Sequence, residues 1–397
     1  MKIDIFFTIL IIVLKQASCT YNKNVEVIEC TKTFNDNQKV EFLKFPEIGE
    51  DTLKASFFAD TVIYIPLETT NESLIQTIRK QIWVGDSIIL INNRFNLLMF
   101  LRSGEFVRKI GKRGKGPGEN QSIFCFDILR DTIHLSSSGK RSLIRYTMDG
   151  DFCDEIQFNG QPFYFNSTTN NEFAWYNFSK GEIYVYNEDL NRADTIVIEH
   201  GVTEGRYKFV HYSRHMPYFQ KTATGLLFNN YLSDTVWAIT KGEKEPAFIL
   251  NMNDKLLPWE KQVEFCEGDF KKWQQIAKSY EIVHLIPFSR YIIIFQKHWI
   301  EKSFSAIYLQ NRLTREIERY NTSFIYDDMV GWQKLSNFIF TGSTDFLVAV
   351  IYPHELQEDL NSNRENIKER APPIWLNQMK SIDENDNPIL VLIKVKK

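Results

Sequence analysis

Two stretches of this chain share one order of parts. Residues 86–110 read DSIILINNRFNLLMFLRSGEFVRKI, and residues 131–157 read DTIHLSSSGKRSLIRYTMDGDFCDEIQ. Each opens on Asp and a hydroxyl residue. An apolar run, a polar turn and a second apolar run follow, and then Gly, an acidic residue and Phe. Asp131 follows Asp86 by 45 residues and Gly150 follows Gly104 by 46, so the second copy carries one insertion. A unit of this length cannot bury its apolar face alone and must stack on copies of itself.

Weaker copies follow at 172–198, 225–250, 291–320 and from 345. Their runs are four to seven residues long, rich in β-branched and aromatic side chains, and bounded by Gly, Asn or Asp. That punctuation predicts strands and hairpins. A further apolar run precedes several copies: IRKQIWV before Asp86, FCFDIL before Asp131 and EIVHLIPF before Tyr291. Each unit therefore has four strands, and the starts number six. The expected fold is all-β, a six-bladed β-propeller over residues 61–397. The composition allows it, because 43% hydrophobic residues can fill a large core and 14% aromatics favour strands.

Two segments break the strand pattern. Residues 258–280 place Trp259, Val263, Phe270, Trp273, Ile276 and Tyr280 near helical spacing. Residues 353–381 are charged and helical, with Pro372-Pro373 ending the helix. Both are read as helical insertions that stabilise a blade, in preference to a binding lid.

The most glycine-dense stretch, GKRGKGPGEN at 111–120, raises the question of a phosphate cradle. Gly111 and Gly116 have Walker spacing, but Pro117 stands where the Lys must be. The Gly114, Gly116 and Gly118 spacing is not GxGxxG, and the next run, SIFCFDIL, reads as a strand. No helix N-terminus is available to hold phosphate. These glycines are expected to supply unusual dihedrals in a passage between blades.

The chain opens MKIDIFFTILIIVLKQASC. The apolar run Ile5 to Leu14 is too short to span a bilayer and suits a secretory h-region. Ala17-Ser18-Cys19 resembles a bacterial lipobox, with Gln16 where an aliphatic residue is preferred. Residues 1–19 are thus read as a signal peptide ending at a lipidated Cys19. Residues 20–60 are read as a tether and lead-in. The alternative is plain secretory cleavage near Cys19. Cys30, Cys125, Cys153 and Cys266 form no CxxC pair and are expected to be buried free thiols.

Chemistry-bearing motifs are sparse. His134, His200, His211, His215, His284, His298 and His354 include one i,i+4 pair, His211 and His215, but no HExxH, so no metal site is assigned. No GxSxG elbow occurs. Asp327-Asp328 reads as surface carboxylates rather than a glycosidase pair. Arg94, Arg113 and Arg145 lie in or near blade loops, within reach of an anionic ligand, but solvated or ion-paired arginines are the preferred reading. No cofactor or catalytic residue is assigned. The net charge of −3 argues against a nucleic-acid partner.

IPLETTNESLIQTI at 65–78, the block from Ile91 to Glu119 and DENDNPILVLIKVK at 383–396 together resemble the six-bladed β-propeller family of exported Bacteroidetes proteins. Residues 104–119 are also similar to an NHL repeat. The resemblance implies ring closure, with 61–68 as the outer strand of the last blade beside DFLVAVI and NPILVLIKV. It carries no catalytic residues over. Taken with the lipobox-like Cys19, the expected role is an exported, lipid-anchored binding or scaffold module at the cell envelope, on its periplasmic or its surface side, with a protein or glycan ligand. The competing reading is a propeller enzyme, an NHL-type lyase or a glycan-active one, with its site at the channel mouth. The binding module is preferred because no convergent set of site residues is visible.

Overall fold

The computed structural model describes residues 40–397, except 76–77, 79–80, 158–164, 169–170, 178–179, 188–190, 199–217, 223–224, 231–232, 257–274, 276, 300, 302, 340–342, 363–366 and 368. The tether and signal peptide, Cys30, Cys266, His200, His211, His215 and most of the 258–280 insertion lie outside the described residues.

Antiparallel sheets follow one another along the chain as consecutive meanders. Blade one is built from Ile82–Val84, Ile88–Asn92, Leu97–Leu101 and Phe106–Ile110. Blade two runs from Ile123–Leu129 to Phe152–Gln157, and blade three from Phe165–Ser167 to Arg192–Val197. Blade four spans Tyr218–Lys221 to Glu243–Asn251, and blade five spans Glu281–Pro287 to Ile317–Tyr320. In blades one to four the register shifts between the third and fourth strands, at Phe100, Tyr146, Tyr186 and Trp237. A bulge there strengthens the twist. An aromatic residue marks the same point of these four copies, in keeping with the repeat.

The count of six needs correction, because seven sheets of three or more strands are present among the described residues. Between blade five and the last blade lies a small sheet of Leu53–Lys54, Ile325–Tyr326 and Lys334–Leu335. Its strands have two residues each, too short to leave an apolar period. One of them also comes from far upstream, so no local repeat records this sixth blade.

Blade seven closes the ring. Asn337–Ile339, Phe346–Ile351 and Ile389–Val395 are joined by Ala59–Pro66 as the outermost strand. The pairing runs from Ala59 with Val395 to Pro66 with Ile389, as the resemblance implied. The upstream chain does more than lead in. Glu41–Lys44 adds a parallel fifth strand to blade four, Phe45 packs edge-on to Tyr308 of blade five, and Glu50 bridges Tyr320. Residues 41–66 therefore strap blades four to seven together.

The core lies between blades. Leu90, Met99, Phe126 and Ile133 fill the space between blades one and two. Ile65, Ile91, Phe100, Val348 and Leu392 fill that between seven and one, completing the circle. The 353–381 insertion carries helices Pro353–Ser362 and Pro373–Lys380. Leu356, Leu360, Trp375 and Met379 are buried in one cluster with Leu53, Ile325 and Leu335 of the small blade. This insertion covers the small blade.

Candidate functional site

In a four-stranded meander, the first and third turns lie at one end of the sheet. The second turn and the connection to the next blade lie at the other. By the strand bounds, no turn at the first end exceeds seven residues, the longest being 327–333 of the small blade. At the other end the connections 67–81, 111–122, 198–217, 252–280 and 352–388 run from 12 to 37 residues. One end is trimmed and the other is elaborated.

The inner strands are stapled to one another by polar side chains. Gln81 donates to Phe126 O at 2.5 Å and accepts from its N–H at 2.9 Å, tying blade one to two. Asp127 accepts from the Ser167 N–H at 2.5 Å, tying two to three. Lys221 Nζ of blade four donates to Asp127 Oδ1 at 2.6 Å and to Ser167 Oγ at 2.8 Å. Tyr218 Oη accepts from Leu285 N at 2.9 Å, tying four to five. Asp127 is 4% exposed. A lysine next to a serine invites a nucleophile reading. The carboxylate at 2.6 Å makes Lys221 an ion-paired ammonium that donates to Ser167, so this is a structural knot. Sequence reasoning missed it, because its members are 40 to 94 residues apart.

Asp327 and Asp328 are not surface carboxylates, which corrects the reading from sequence. Asp327 is fully buried and accepts from Tyr64 Oη at 2.6 Å and from the Met329, Val330 and Gly331 N–H groups. Burial and the adjacent Asp327 charge hold the Tyr64 hydroxyl well above the usual tyrosine range. Asp328 turns to Ser56, accepting from its N–H at 3.0 Å and its hydroxyl at 2.6 Å. The two carboxylates brace the small blade against the strap and do not converge on a common space.

The described histidines are dispersed. His134 sits in blade two, His284 and His298 in blade five, and His354 in the insertion. Among the described residues no group of three or more His, Cys, Asp or Glu is placed to hold a metal. Cys125 is buried and its thiol is pushed up to about 12 by desolvation, while Cys153 is exposed, contrary to the expectation of buried thiols. Cys153 lies on the outermost strand of blade two, whose residues are largely solvent-facing.

His134 is 3% exposed, lies 4.6 Å from the Phe173 ring, and is held at a pKa of about 4, chiefly by burial. Its folded value lies below its unfolded one, so between these values the unfolded chain binds the extra proton. Stability is therefore expected to fall as pH drops from about 6.5 towards 4, by about 3 kcal/mol at most from this group. Urea unfolding at several pH values checks this, and His134→Phe should flatten the slope in that window.

The glycine-rich passage is a turn between blades. It leaves Phe106–Ile110, forms a two-residue parallel pairing of Lys112–Arg113 with Glu119–Asn120, and enters the Ile123–Leu129 strand. The Gly116 N–H already donates to Glu119 Oε2 at 3.0 Å, and the Gly114 N–H to Asn120 O at 2.9 Å. Of the three glycines singled out, only Gly118 is left-handed, with φ +67; Gly111 shares this with φ +81, while Gly114 and Gly116 do not. A side chain at Gly118 would also strike the Phe152 ring at 2.7 Å. Gly118→Val is expected to cost at least 1–3 kcal/mol. The triple replacement of Lys112, Arg113 and Lys115 by Ala should change stability by under about 1 kcal/mol. Thermal melts compare the two.

Arg145 is spent on a bidentate pair with Asp154. Arg94 and Arg113, by contrast, meet over one ring, that of Phe95, at 5.0 and 4.5 Å from its centroid. Two clefts lie elsewhere. One of about 260 Å³ is lined by Gly85, Asp86, Arg102, Ser343, Asp345 and Phe346. The other, of about 570 Å³, lies between 66–69, 103–105 and the end of the helical insertion.

Residues 43–394 match the family described as a domain of unknown function, DUF4934. No curated protein matches the chain. Among solved structures, a Bacteroides fragilis protein provisionally designated as exported is 17% identical, with a TM-score of 0.69, over 90% of this chain and 99% of that one. A Bacteroides vulgatus member of the DUF4221 family is 10% identical, with a TM-score of 0.46, over 85% and 97%. Virginiamycin B lyase from Staphylococcus aureus is 10% identical, with a TM-score of 0.43, over 84% and 100%. The first of these supports the propeller fold.

Proposed function

The chain belongs to the DUF4934 family of domains of unknown function, and on that premise we propose that it is an exported, lipid-anchored propeller that binds a protein or glycan at the bacterial cell envelope. The observation that carries this is the asymmetry of the disc. One end is trimmed to turns of seven residues or fewer, and the other carries every connection of 12 residues or more. Binding residues concentrate on loops held by a rigid scaffold, and the staples between inner strands provide that rigidity. Export is supported by the h-region before Ala17-Ser18-Cys19 and by the designation of the Bacteroides fragilis neighbour. Several acyl chains on Cys19 would hold the disc stably, where a single chain is marginal. The NHL-like character of 104–119 is a local likeness of the glycine-rich passage.

The test is photo-crosslinking in intact cells from four exposed positions. Ile374 and Lys115 lie at the elaborated end, Asp131 and Asn191 at the trimmed end. Adducts are expected from the first two only. Equal adducts from both ends, or adducts from the trimmed end alone, would sink the reading. Radioactive palmitate tests the anchor and should label the wild type but not Cys19→Ala.

A further inference from the structure

We propose that Arg94 and Arg113 form an anion-binding site at the elaborated end of the disc, taking a carboxylate, sulfate or phosphate group of the ligand. The proposal deepens the binding-module reading and rests on it for its biological sense, although the site itself is defined by geometry alone.

The two guanidiniums come from different segments. Arg94 lies in the turn between the second and third strands of blade one, and Arg113 in the connection from blade one to blade two. Both segments are at the elaborated end. The two charges share one ring and lie no more than 9.5 Å apart, and neither arginine has a carboxylate partner among the described residues. Their neighbours differ: Lys112 faces Glu119 at 3.7 Å, and Arg108 faces Asp149 at 3.6 Å. Both arginines are exposed, so an anion can reach them.

The arrangement is held in place. Arg94 adopts φ +71, a conformation fixed by its N–H donating to Asn92 Oδ1 at 3.0 Å. Asn120 Nδ2 donates to Phe95 O at 3.0 Å, and the Ile123 N–H to Arg94 O at 2.6 Å. The turn is thereby clamped to the passage that carries Arg113. Asn92 is fully buried and its Nδ2 has no partner among the described residues, which leaves an unused donor beneath the turn. Stacking both guanidiniums on Phe95 limits their rotamers before any ligand arrives. Delocalised, weakly hydrated guanidiniums suit oxyanions better than lysines do. The passage that resembles a phosphate loop thus has no free amide cradle at Gly114 or Gly116, and the arginine pair supplies the anion chemistry through side chains.

The experiment is calorimetric titration of the full chain at low ionic strength with sulfate, inorganic phosphate and trigalacturonate in separate arms. Saturable one-to-one binding of at least one probe is expected, and the tightest arm names the source. Arg94→Ala with Arg113→Ala should weaken it about tenfold or more. Arg94→Lys with Arg113→Lys should also weaken it, despite the retained charge. Arg145→Ala should leave it unchanged. Circular dichroism verifies folding, and Arg94→Gln with Arg113→Gln replaces the alanine pair if that pair unfolds. No saturable binding by the wild type, or equal weakening by Arg145→Ala, overturns the site. Anion binding with crosslinks spread over both ends would keep the site and remove the module reading; end-specific crosslinks without anion binding would do the reverse.

Discussion

Lys221→Met is expected to destabilise the protein by about 3–5 kcal/mol, the usual loss when one partner of a buried ion pair is removed. The Lys221 side chain is 23% exposed and the Asp127 side chain 4%. Without the ammonium, the Asp127 carboxylate stays buried and keeps, among the described residues, only N–H donors, those of Ser167 and Ile128. Three blades meet at this point, so the loss is felt across two interfaces. The double variant Asp127→Asn with Lys221→Met should recover most of the stability. It removes both charges and leaves an amide oxygen to accept from Ser167. Urea unfolding measures both variants, and an unchanged m-value would show that only stability had moved. If Lys221→Met costs under about 1 kcal/mol, the pair behaves as a surface one and the inner strands are held by packing alone.

What could be read from the chain followed from locality. Blades one and two were visible because each strand, turn and Gly–acidic–Phe ending lies within one 45-residue stretch. Ring closure by 61–68 was read from a resemblance, and the pairing of Val62 with Ile393 and of Ile65 with Leu390 agrees with it. The sixth blade was hidden, since Leu53 pairs with Ile325 across more than 270 residues and neither run is long enough to show a period. The strap strand Glu41–Lys44 was hidden for the same reason. Its alternation of exposed Phe42 and buried Leu43 covers only four residues. The staples are illegible by nature, because Asp127, Ser167 and Lys221 carry no motif, and only the stacking of blades brings them together. Arg94 and Arg113 were visible as candidates, but their convergence depends on Phe95 and on the Asn120 clamp.

Trp375→Ala should cost about 3–5 kcal/mol, the range for deleting a large buried aromatic side chain. Trp375 is 6% exposed and meets the Tyr64 ring edge-on at 5.2 Å. Tyr64 in turn donates to Asp327, so this ring supports the side chain that braces the small blade. With two residues per strand, that blade offers little apolar surface to its neighbours. Leu356, Leu360, Ile367, Ala371, Trp375 and Met379 of the insertion supply what its missing strands would have given. Beside Trp375 on the same helix, Ile374 is 84% exposed, so Ile374→Ala should change stability by under about 0.5 kcal/mol. A lid that opens to admit ligand predicts the opposite for Trp375, namely an unchanged melting temperature and altered binding. Differential scanning calorimetry of the two variants separates these accounts. A melt of Trp375→Ala that coincides with the wild type would show that blades five and seven hold the ring without the insertion.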